Sequence, residues 1–277
     1  MKDIRLLLTD LDGTLLQSDH LTVSRRTRDA LAAAKAQGIR LCACTGRVLC
    51  MLPPAVAEIG FDYAITSNGA SCVDLRTGER LFSAHIPAGN AEAAWRLLEQ
   101  SDCMIEWFVG GDVLLDRHNY GQWERRLRPR WHREYLGAGG GIVTEDICTF
   151  FSQGAPELEK ISVFDCPPGM REHVIEPMLA LGCFEISTSL GHNFEITDVA
   201  ADKGKALRSL CAHLGLSPEQ TVAFGDGGND DELLKASGTG VAMANGLDSL
   251  KAIADVVTLS NEEDGVADYI ERVLLRA

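Results

Sequence analysis

Short apolar segments alternate with helical patterns at both ends of the chain. Residues 4–9, 39–44 and 63–66 are strand-like, and an amphipathic segment over 25–37 separates the first two. The same order of helix and strand returns over residues 203–259. Strands joined by helices pair in parallel, because a parallel connection needs a dozen or more residues. The pattern predicts an α/β fold with a doubly wound parallel sheet to which both ends of the chain contribute.

The middle of the chain has a different pattern, which predicts a second domain. An alternating segment over 104–109 turns at two glycines into another strand, as in a β-hairpin. The glycine-rich stretch 137–141 lacks the ordered strand-to-helix context of a nucleotide-binding loop, so a flexible loop is predicted there. The segment also contains every tryptophan of the chain: Trp95, Trp107, Trp123 and Trp131. We therefore expect residues 84–196 to form an α+β domain inserted into a core of residues 1–83 and 197–277.

The composition excludes several classes of protein. Of the 277 residues, 45% are hydrophobic and 24% are charged, which is typical of a globular protein and not of disordered, collagenous or coiled-coil chains. The net charge of −14 opposes binding to nucleic acid and to anionic membranes.

No segment approaches the roughly 20 apolar residues of a membrane span, and no signal peptide is recognised. Since the nine cysteines form no Cys-x-x-Cys pair, we expect a reduced, cytoplasmic protein. For its assembly we expect either a monomer or a small homo-oligomer.

Aspartates follow the first strand and a late strand of the predicted sheet. Asp10 and Asp12 come after the first of these strands, and Asp226 and Asp230 follow the other. The carboxyl ends of parallel strands meet at one edge of a sheet, where ligands bind. Like charges about 4 Å apart repel by about 4 kcal/mol at an effective dielectric of 20, so a carboxylate cluster needs a cation, and oxygen ligands favour Mg²⁺. Asp230 is also open to interpretation as the N-cap of the helix that follows it.

Another polar group follows the second strand along the chain. Thr45 offers a hydroxyl and Gly46 a backbone N–H, at a position where we predict that a helix begins. The N-terminus of a helix attracts anions, so Thr45 and Gly46 form a candidate phosphate site. Lys203 stands at the start of another predicted helix, where the dipole does not favour a cation. It either binds an anion or is a solvated surface lysine.

Four short motifs occur in a fixed order along the chain. They are DLDGTL from Asp10, TGR from Thr45, DKGKAL from Asp202 and GDGGND from Gly225. This set resembles the motifs of phosphatases of the haloacid dehalogenase superfamily, and most of all those of the Cof-like sugar-phosphatase branch. The resemblance implies a haloacid dehalogenase-like core with the inserted α+β domain as a large cap of the C2 type. The motifs cover both ends of the chain, whereas the middle resembles the cap in pattern only.

The resemblance implies a role for each acidic residue of the motifs. Asp10 would be the nucleophile, and Asp12 would be the general acid and base. Mg²⁺ would be held by the Asp10 carboxylate, the backbone carbonyl of Asp12 and the Asp226 carboxylate, while Asp230 supports the metal without contacting it. A carboxylate that attacks phosphorus forms an aspartyl phosphate, which water then hydrolyses.

The resemblance also implies a phosphate site made of Thr45, Gly46, Lys203 and Asn229. Their donors would neutralise the charge on the phosphate oxygens during phosphoryl transfer. The expected enzyme is a Mg²⁺-dependent phosphoric monoester hydrolase. Its expected substrate is a small phosphomonoester, such as a sugar phosphate or a similar phosphometabolite.

Two other functions remain open. Only 30 residues separate Thr14 from Thr45, whereas 134 separate Asn68 from Lys203, so an inserted cap fits only the second interval. This placement resembles the phosphatases with a large cap rather than the phosphomutases, whose cap follows the first motif. A non-catalytic sensor of sugar phosphates is the alternative from another class. In either case, we expect the middle domain to set specificity and the two ends to set reactivity.

Overall fold

The computed structural model describes two compact units. The described residues are 3–99, 101, 103–116, 142–144, 147–152, 154, 157–167, 169–187 and 193–275. The first unit consists of Met1–Arg47, Leu52–Ser83 and Asp202–Ala277, and the second unit consists of Val48–Met51 and Ala84–Ala201. Each unit has a sheet of its own.

The described residues contain strands and helices in both units. The strands are β1 (Leu6–Thr9), β2 (Arg40–Cys44), β3 (Tyr63–Thr66), β4 (Ser71–Asp74), β5 (Arg80–Ser83), β6 (Met104–Val109), β7 (Asp112–Asp116), β8 (Ile142–Thr144), β9 (Leu158–Phe164), β10 (Phe184–Ser187), β11 (Phe194–Asp198), β12 (Thr221–Gly225), β13 (Gly240–Ala242) and β14 (Val256–Val257). The helices are α1 (Arg25–Ala36), α2 (Pro54–Ile59), α3 (Ala88–Leu98), α4 (Ile147–Ser152), α5 (Glu176–Ala180), α6 (Lys203–Leu214), α7 (Asp231–Ala236), α8 (Asp248–Ile253) and α9 (Gly265–Tyr269). None of these helices is long and apolar enough to cross a membrane.

The sheet of the first unit contains both ends of the chain. Its strand order is β14-β13-β12-β1-β2-β3-β4-β5. β1 is central, because it pairs in parallel with β12 on one side and with β2 on the other. Leu6 accordingly lies opposite both Thr221 and Arg40. The predicted fold class, an α/β protein with a doubly wound parallel core, is confirmed.

The central strand of this sheet is buried on both faces. Leu6, Leu7 and Leu8 are fully buried, and successive side chains of a strand point to opposite faces. Leu7 belongs to an apolar cluster that includes Leu31 of α1. Leu6 and Leu8 belong to a second cluster, which includes Leu207 of α6. Helices therefore cover both faces, as a central strand with three successive leucines requires.

Two local features of the first unit differ from the sequence-based picture. The strands β4 and β5 add an antiparallel hairpin at the edge of the sheet, which no prediction anticipated. The prediction that a helix begins at Thr45 and Gly46 is wrong, because a short helical turn over Leu49–Met51 follows and α2 begins only at Pro54. A proline fits the first turn of a helix but keeps the residue before it extended, so the helix starts at the proline.

The second unit is built on a sheet with two different faces. Its strand order is β10-β11-β9-β6-β7-β8, with antiparallel pairs except for the parallel pair of β7 and β8. One face belongs to an apolar cluster with α3, which includes Ile105, Trp107, Ile161, Ile196, Ala91 and Leu98. Trp95 packs against Trp107 edge to face, with ring centres 5.9 Å apart. Trp123, Trp131 and the glycine-rich stretch 137–141 lie outside the described residues.

The opposite face of the second unit's sheet carries charged and polar side chains. Ser162 is paired across the strands with Glu106 and with Glu195, so the three share one face. Lys160 Nζ lies 2.7 Å from Glu195 Oε1 and 4.5 Å from the centre of the Phe108 ring. Ser162 is buried, and its Oγ has no hydrogen-bond partner within the described ranges.

Free thiols are found at eight cysteines, which are Cys42, Cys44, Cys50, Cys72, Cys103, Cys166, Cys183 and Cys211. Cys42 and Cys44 are fully buried on β2, with their Sγ atoms 3.9 Å apart. Burial raises the pKa of Cys42, which makes its thiol unreactive. These two residues therefore act as small apolar groups in the sheet, in agreement with their alternation along a buried strand.

Candidate active site

The first motif turns sharply after β1 and meets the last motif. Gly13 has a φ of 81°, and a Cβ atom at this position would clash with the Asp226 carboxylate. Thr14, in the same turn, donates a hydrogen bond from Oγ1 to Asp226 Oδ1 at 2.7 Å. A glycine is therefore needed at position 13 both for the left-handed backbone and for the close approach of the two motifs.

Lys203 is a buried cation at the centre of the site. Its Nζ donates hydrogen bonds to Asp10 Oδ1 at 2.8 Å and to Asp230 Oδ1 at 2.6 Å. Burial by itself lowers the pKa of Lys203, but the two carboxylates outweigh this effect and raise the pKa, so the ammonium group stays charged. The interpretation of Lys203 as a solvated surface lysine is therefore wrong.

Three carboxylates form an acidic cluster beside Lys203. One oxygen from each of Asp10, Asp226 and Asp230 lies within 4.8 Å of the others. Burial, reinforced by the neighbouring aspartates, raises the pKa of Asp10 well above its usual value and the pKa of Asp226 to about 6. Lys203 compensates only one of three negative charges, so a further cation stabilises the ionised cluster. Carboxylate oxygens are the donors that Mg²⁺ prefers, and the cluster therefore fits this ion.

Asp230 is fixed within the loop of the last motif. Its Oδ2 accepts hydrogen bonds from the backbone N–H groups of Asp226, at 3.1 Å, and of Gly227, at 3.0 Å. Asp230 does occupy the N-cap position of α7, as the alternative interpretation holds, but its side chain makes no capping hydrogen bond to that helix. Protein groups engage both oxygens of Asp230, which shapes the loop that carries Asp226.

Asp12 is held by two residues for which the sequence analysis predicted no role. Arg47 donates from Nε to Asp12 Oδ2 at 2.8 Å and from Nη2 to Asp12 Oδ1 at 2.6 Å. His20 Nδ1 lies 2.8 Å from Asp12 Oδ1. Burial by itself raises the pKa of Asp12, but the hydrogen bonds from His20 and Arg47 lower it to about 2. Arg47 belongs to the TGR motif, which was the one sequence signal for its importance.

The loop after β2 meets the last motif through Asn68. Thr45 is buried, and its Oγ1 accepts a hydrogen bond from the backbone N–H of Arg47 at 3.1 Å. Asn229 Nδ2 donates to Asn68 Oδ1 at 3.1 Å. The same oxygen of Asn68 lies 2.8 Å from the position that a Cβ atom of Gly46 would occupy.

The structure places all eight predicted site residues in the first unit. Direct contacts link Lys203 to Asp10 and Asp230, and Asn68 links Asn229 to Gly46.

Replacement of Lys203 by Met is expected to destabilise the protein by about 3 to 5 kcal/mol, because it leaves buried carboxylates without their partner. The free energy of unfolding, measured with urea, checks this expectation. Lys205→Met is the matched control, because Lys205 lies on the same helix with its side chain half exposed. The control is expected to change the free energy by less than about 0.5 kcal/mol. A loss below 1 kcal/mol for Lys203→Met would contradict the structural role of the ion pair.

Comparisons with known proteins identify the family. A family model described as haloacid dehalogenase-like hydrolase matches residues 7–270. Phosphatase YwpJ of Bacillus subtilis (strain 168) is 30% identical over 287 residues, which cover 98% of this chain and 100% of that protein. The 5-amino-6-(5-phospho-D-ribitylamino)uracil phosphatase YcsE of the same organism is 28% identical over 285 residues, which cover 99% and 97% of the two chains.

A solved structure leads to the same family. A haloacid dehalogenase-like hydrolase from B. subtilis superposes with a TM-score of 0.82 at 28% identity, over 98% of this chain and 100% of the other. The resemblance of the four motifs to this superfamily is therefore confirmed, as is the prediction of an enzyme. The chain belongs to the haloacid dehalogenase-like hydrolases and is a phosphoric monoester hydrolase of that superfamily.

Proposed function

We propose that the enzyme hydrolyses small phosphomonoesters, such as sugar phosphates, with Mg²⁺ as cofactor and through an aspartyl phosphate on Asp10. One observation carries the proposal: the Asp10 carboxylate, part of the acidic cluster with Asp226 and Asp230, contacts the buried Lys203 Nζ at 2.8 Å. The site thus combines a carboxylate nucleophile, a fixed positive charge and oxygen donors for a cation. Transfer of a phosphoryl group from an ester to a carboxylate requires these three groups.

Two proton transfers accompany the reaction. An oxygen of Asp10 forms a bond to phosphorus while the bond from phosphorus to the leaving oxygen breaks, and Asp12 gives a proton to that oxygen. In the second step Asp12 takes a proton from water. The water oxygen then bonds to phosphorus, which releases inorganic phosphate and the Asp10 carboxylate.

The contacts of Asp12 suit one of these steps better than the other. With a pKa of about 2, Asp12 is ionised at neutral pH, as a general base must be. The acid step needs a protonated Asp12. We therefore expect Asp12 to give up its contact with Arg47 before the leaving group departs.

The residues present fit Mg²⁺. The Asp10 and Asp226 carboxylates and the Asp12 carbonyl would hold the ion, and Asp230 supports the loop that carries Asp226. When bound, Mg²⁺ neutralises negative charge on the phosphate oxygens. Lys203, Thr45, the backbone of Gly46 and the Asn229 amide are the proposed donors to those oxygens.

Hydrolysis of p-nitrophenyl phosphate in the presence of Mg²⁺ tests the proposed function. A panel of phosphometabolites, ranked by kcat/KM, then identifies the substrate class. A sensor would bind a sugar phosphate without releasing inorganic phosphate, and a mutase would move the phosphate within the sugar. Binding without hydrolysis, or movement of the phosphate within the sugar, would contradict the proposed function if no member of the panel releases inorganic phosphate.

We further propose that the second unit selects the leaving group. The polar face of its sheet supports this, because the buried Ser162 hydroxyl has no hydrogen-bond partner among described residues and lies beside the Lys160–Glu195 ion pair. A buried hydroxyl without a partner is unfavourable, and a hydroxyl group of a substrate would satisfy it. Sugar phosphates carry such groups, whereas p-nitrophenyl phosphate carries none.

Replacement of Ser162 by Ala is expected to lower kcat/KM for the best sugar phosphate by about tenfold or more, because one hydrogen bond to the substrate is lost. Hydrolysis of p-nitrophenyl phosphate is expected to stay within about twofold, and the melting temperature is expected to stay constant or rise, because an unsatisfied buried hydroxyl is removed. Ser101→Ala is the control, since Ser101 Oγ already donates to Leu98 O. Equal losses on both substrates would contradict the selective role.

We also propose a cytoplasmic enzyme whose partner is a small phosphorylated metabolite. The net charge of −14 opposes contact with nucleic acid and anionic membranes. The free thiols of the eight cysteines named above are consistent with a reducing compartment. Sedimentation velocity distinguishes a monomer from a small homo-oligomer.

A further inference from the structure

Ser67, Asn68 and Gly69 form a turn of three successive left-handed residues after β3. Their φ angles are 52°, 57° and 97°, and all three residues are buried. This backbone region favours glycine and is strained for residues with a side chain, although asparagine tolerates it better than most. Strained backbone persists where surrounding contacts hold it, and it is concentrated at functional sites. The contacts that hold this turn therefore indicate its purpose.

The turn is attached to two of the segments that we propose bind phosphate. The backbone N–H of Asn68 donates to Thr45 O at 3.1 Å. On the other side, Gly69 lies so close to the backbone at the start of α6 that a Cβ atom would clash with Lys203 N. The turn thus fixes the loop after β2 and the beginning of α6 relative to one another.

The side chain of Asn68 reaches a third segment. Its Oδ1 accepts the hydrogen bond from Asn229 Nδ2 at 3.1 Å. The same Oδ1 covers Gly46, since it lies 2.8 Å from the position of a Cβ atom there. One side chain therefore touches both the amide and the backbone segment that are proposed to donate to the phosphate.

We infer that Asn68 is a positioning residue of the phosphate site, which holds the Asn229 amide and the Gly46 backbone in one arrangement. The strained turn directs the Asn68 side chain between these two groups. The inference rests on the proposed function, since Asn229 and Gly46 are assigned to a phosphate only there. It adds to that function the residue that orients the two donors.

Asn68→Gly tests the inference, because glycine accepts the left-handed backbone and lacks the amide. We expect kcat/KM for p-nitrophenyl phosphate to fall by about 10 to 100-fold. We also expect the inhibition constant of inorganic phosphate to rise by about tenfold, because the same donors bind both anions. The melting temperature is expected to stay within a few degrees of the wild-type value, since the relieved strain offsets the greater freedom of glycine in the unfolded chain.

A double-mutant cycle separates positioning from a general structural role. If Asn68 acts partly through Asn229, then Asn68→Gly is expected to lower kcat/KM less in the Asn229→Ala background than in the wild type. Asp264→Gly is the matched control, because Asp264 has the same left-handed backbone, with a φ of 59°, and contacts Thr27 instead. The control is expected to keep kcat/KM within about twofold.

Two results would overturn the inference while the proposed function stands. One is a kcat/KM of Asn68→Gly that lies within twofold of the wild-type value. The other is a double variant whose loss equals the product of the two single losses, because Asn68 would then act independently of Asn229. If the wild-type protein hydrolyses no phosphate ester, the proposed function fails first. Calorimetric binding of inorganic phosphate then decides the inference, and equal Kd values for the wild type and Asn68→Gly would overturn it.

Discussion

Replacement of Asp10 by Asn is expected to lower kcat by more than about 10⁴-fold, because an amide does not form the bond to phosphorus. The variant should stay folded, since it removes one negative charge from a crowded cluster and keeps an oxygen that accepts from Lys203 Nζ. Rapid quenching of the reaction with a substrate labelled in its phosphate measures the covalent intermediate. We expect labelled wild-type protein and no label on the Asp10→Asn variant.

Asp12→Asn is the matched control, because it removes a carboxylate two residues away and leaves the nucleophile intact. Loss of proton transfer should lower kcat by about 10² to 10⁴-fold. With p-nitrophenyl phosphate, whose leaving group departs without a proton, the labelled intermediate should persist in this variant, since the base that activates water is gone. Activity of Asp10→Asn within tenfold of the wild type, in a preparation whose mass shows no deamidation, would exclude Asp10 as the nucleophile.

Removal of divalent metal is expected to abolish hydrolysis, and added Mg²⁺ is expected to restore it. Dialysis against EDTA, with metal content measured afterwards, provides the apoprotein. Mg²⁺ should also raise the melting temperature, because an ion that binds only the native state stabilises it. Full activity in a sample shown to be free of metal would refute the assignment of the acidic cluster to Mg²⁺.

Two variants test whether the metal ion binds at Asp226. Asp226→Asn removes one proposed ligand, so both the activity and the rise in melting temperature on addition of Mg²⁺ should be lost. Asp248→Asn is the control, because the Asp248 side chain is fully exposed and interacts with Lys251 on the same helix. This variant should respond to Mg²⁺ as the wild type does. A normal thermal response of Asp226→Asn would show that the ion binds elsewhere.

The positions of the acidic residues followed from the sequence, whereas the state of Lys203 did not. A strand ends at each aspartate pair, and the rule that ligands gather at the carboxyl ends of parallel strands brought the two pairs together. Lys203 contacts Asp10, 193 positions away, and Asp230, 27 positions away. Its burial is a product of these tertiary contacts, which no local pattern encodes.

The errors and omissions also have physical causes. No helix begins at Thr45; a short helical turn over Leu49–Met51 ends before the two prolines, and α2 begins at Pro54 because Pro53 in front of it is extended. The hairpin of β4 and β5 was missed although Gly78, with a φ of 75°, supplies its turn. His20 was missed because its contact with Asp12 depends on the fold of the loop after β1.

The central place of β1 in the sheet has a consequence for biosynthesis. Leu6 pairs with Arg40 on one side, but its partner on the other side is Thr221. At about 5 to 20 residues per second, a ribosome needs roughly 10 to 40 s to extend the chain from the first of these residues to the last. During that time a leucine-rich strand has one edge without its partner, which is a template for pairing with other chains. The nascent protein is therefore expected to be more prone to aggregation until β12 is synthesised and pairs with β1.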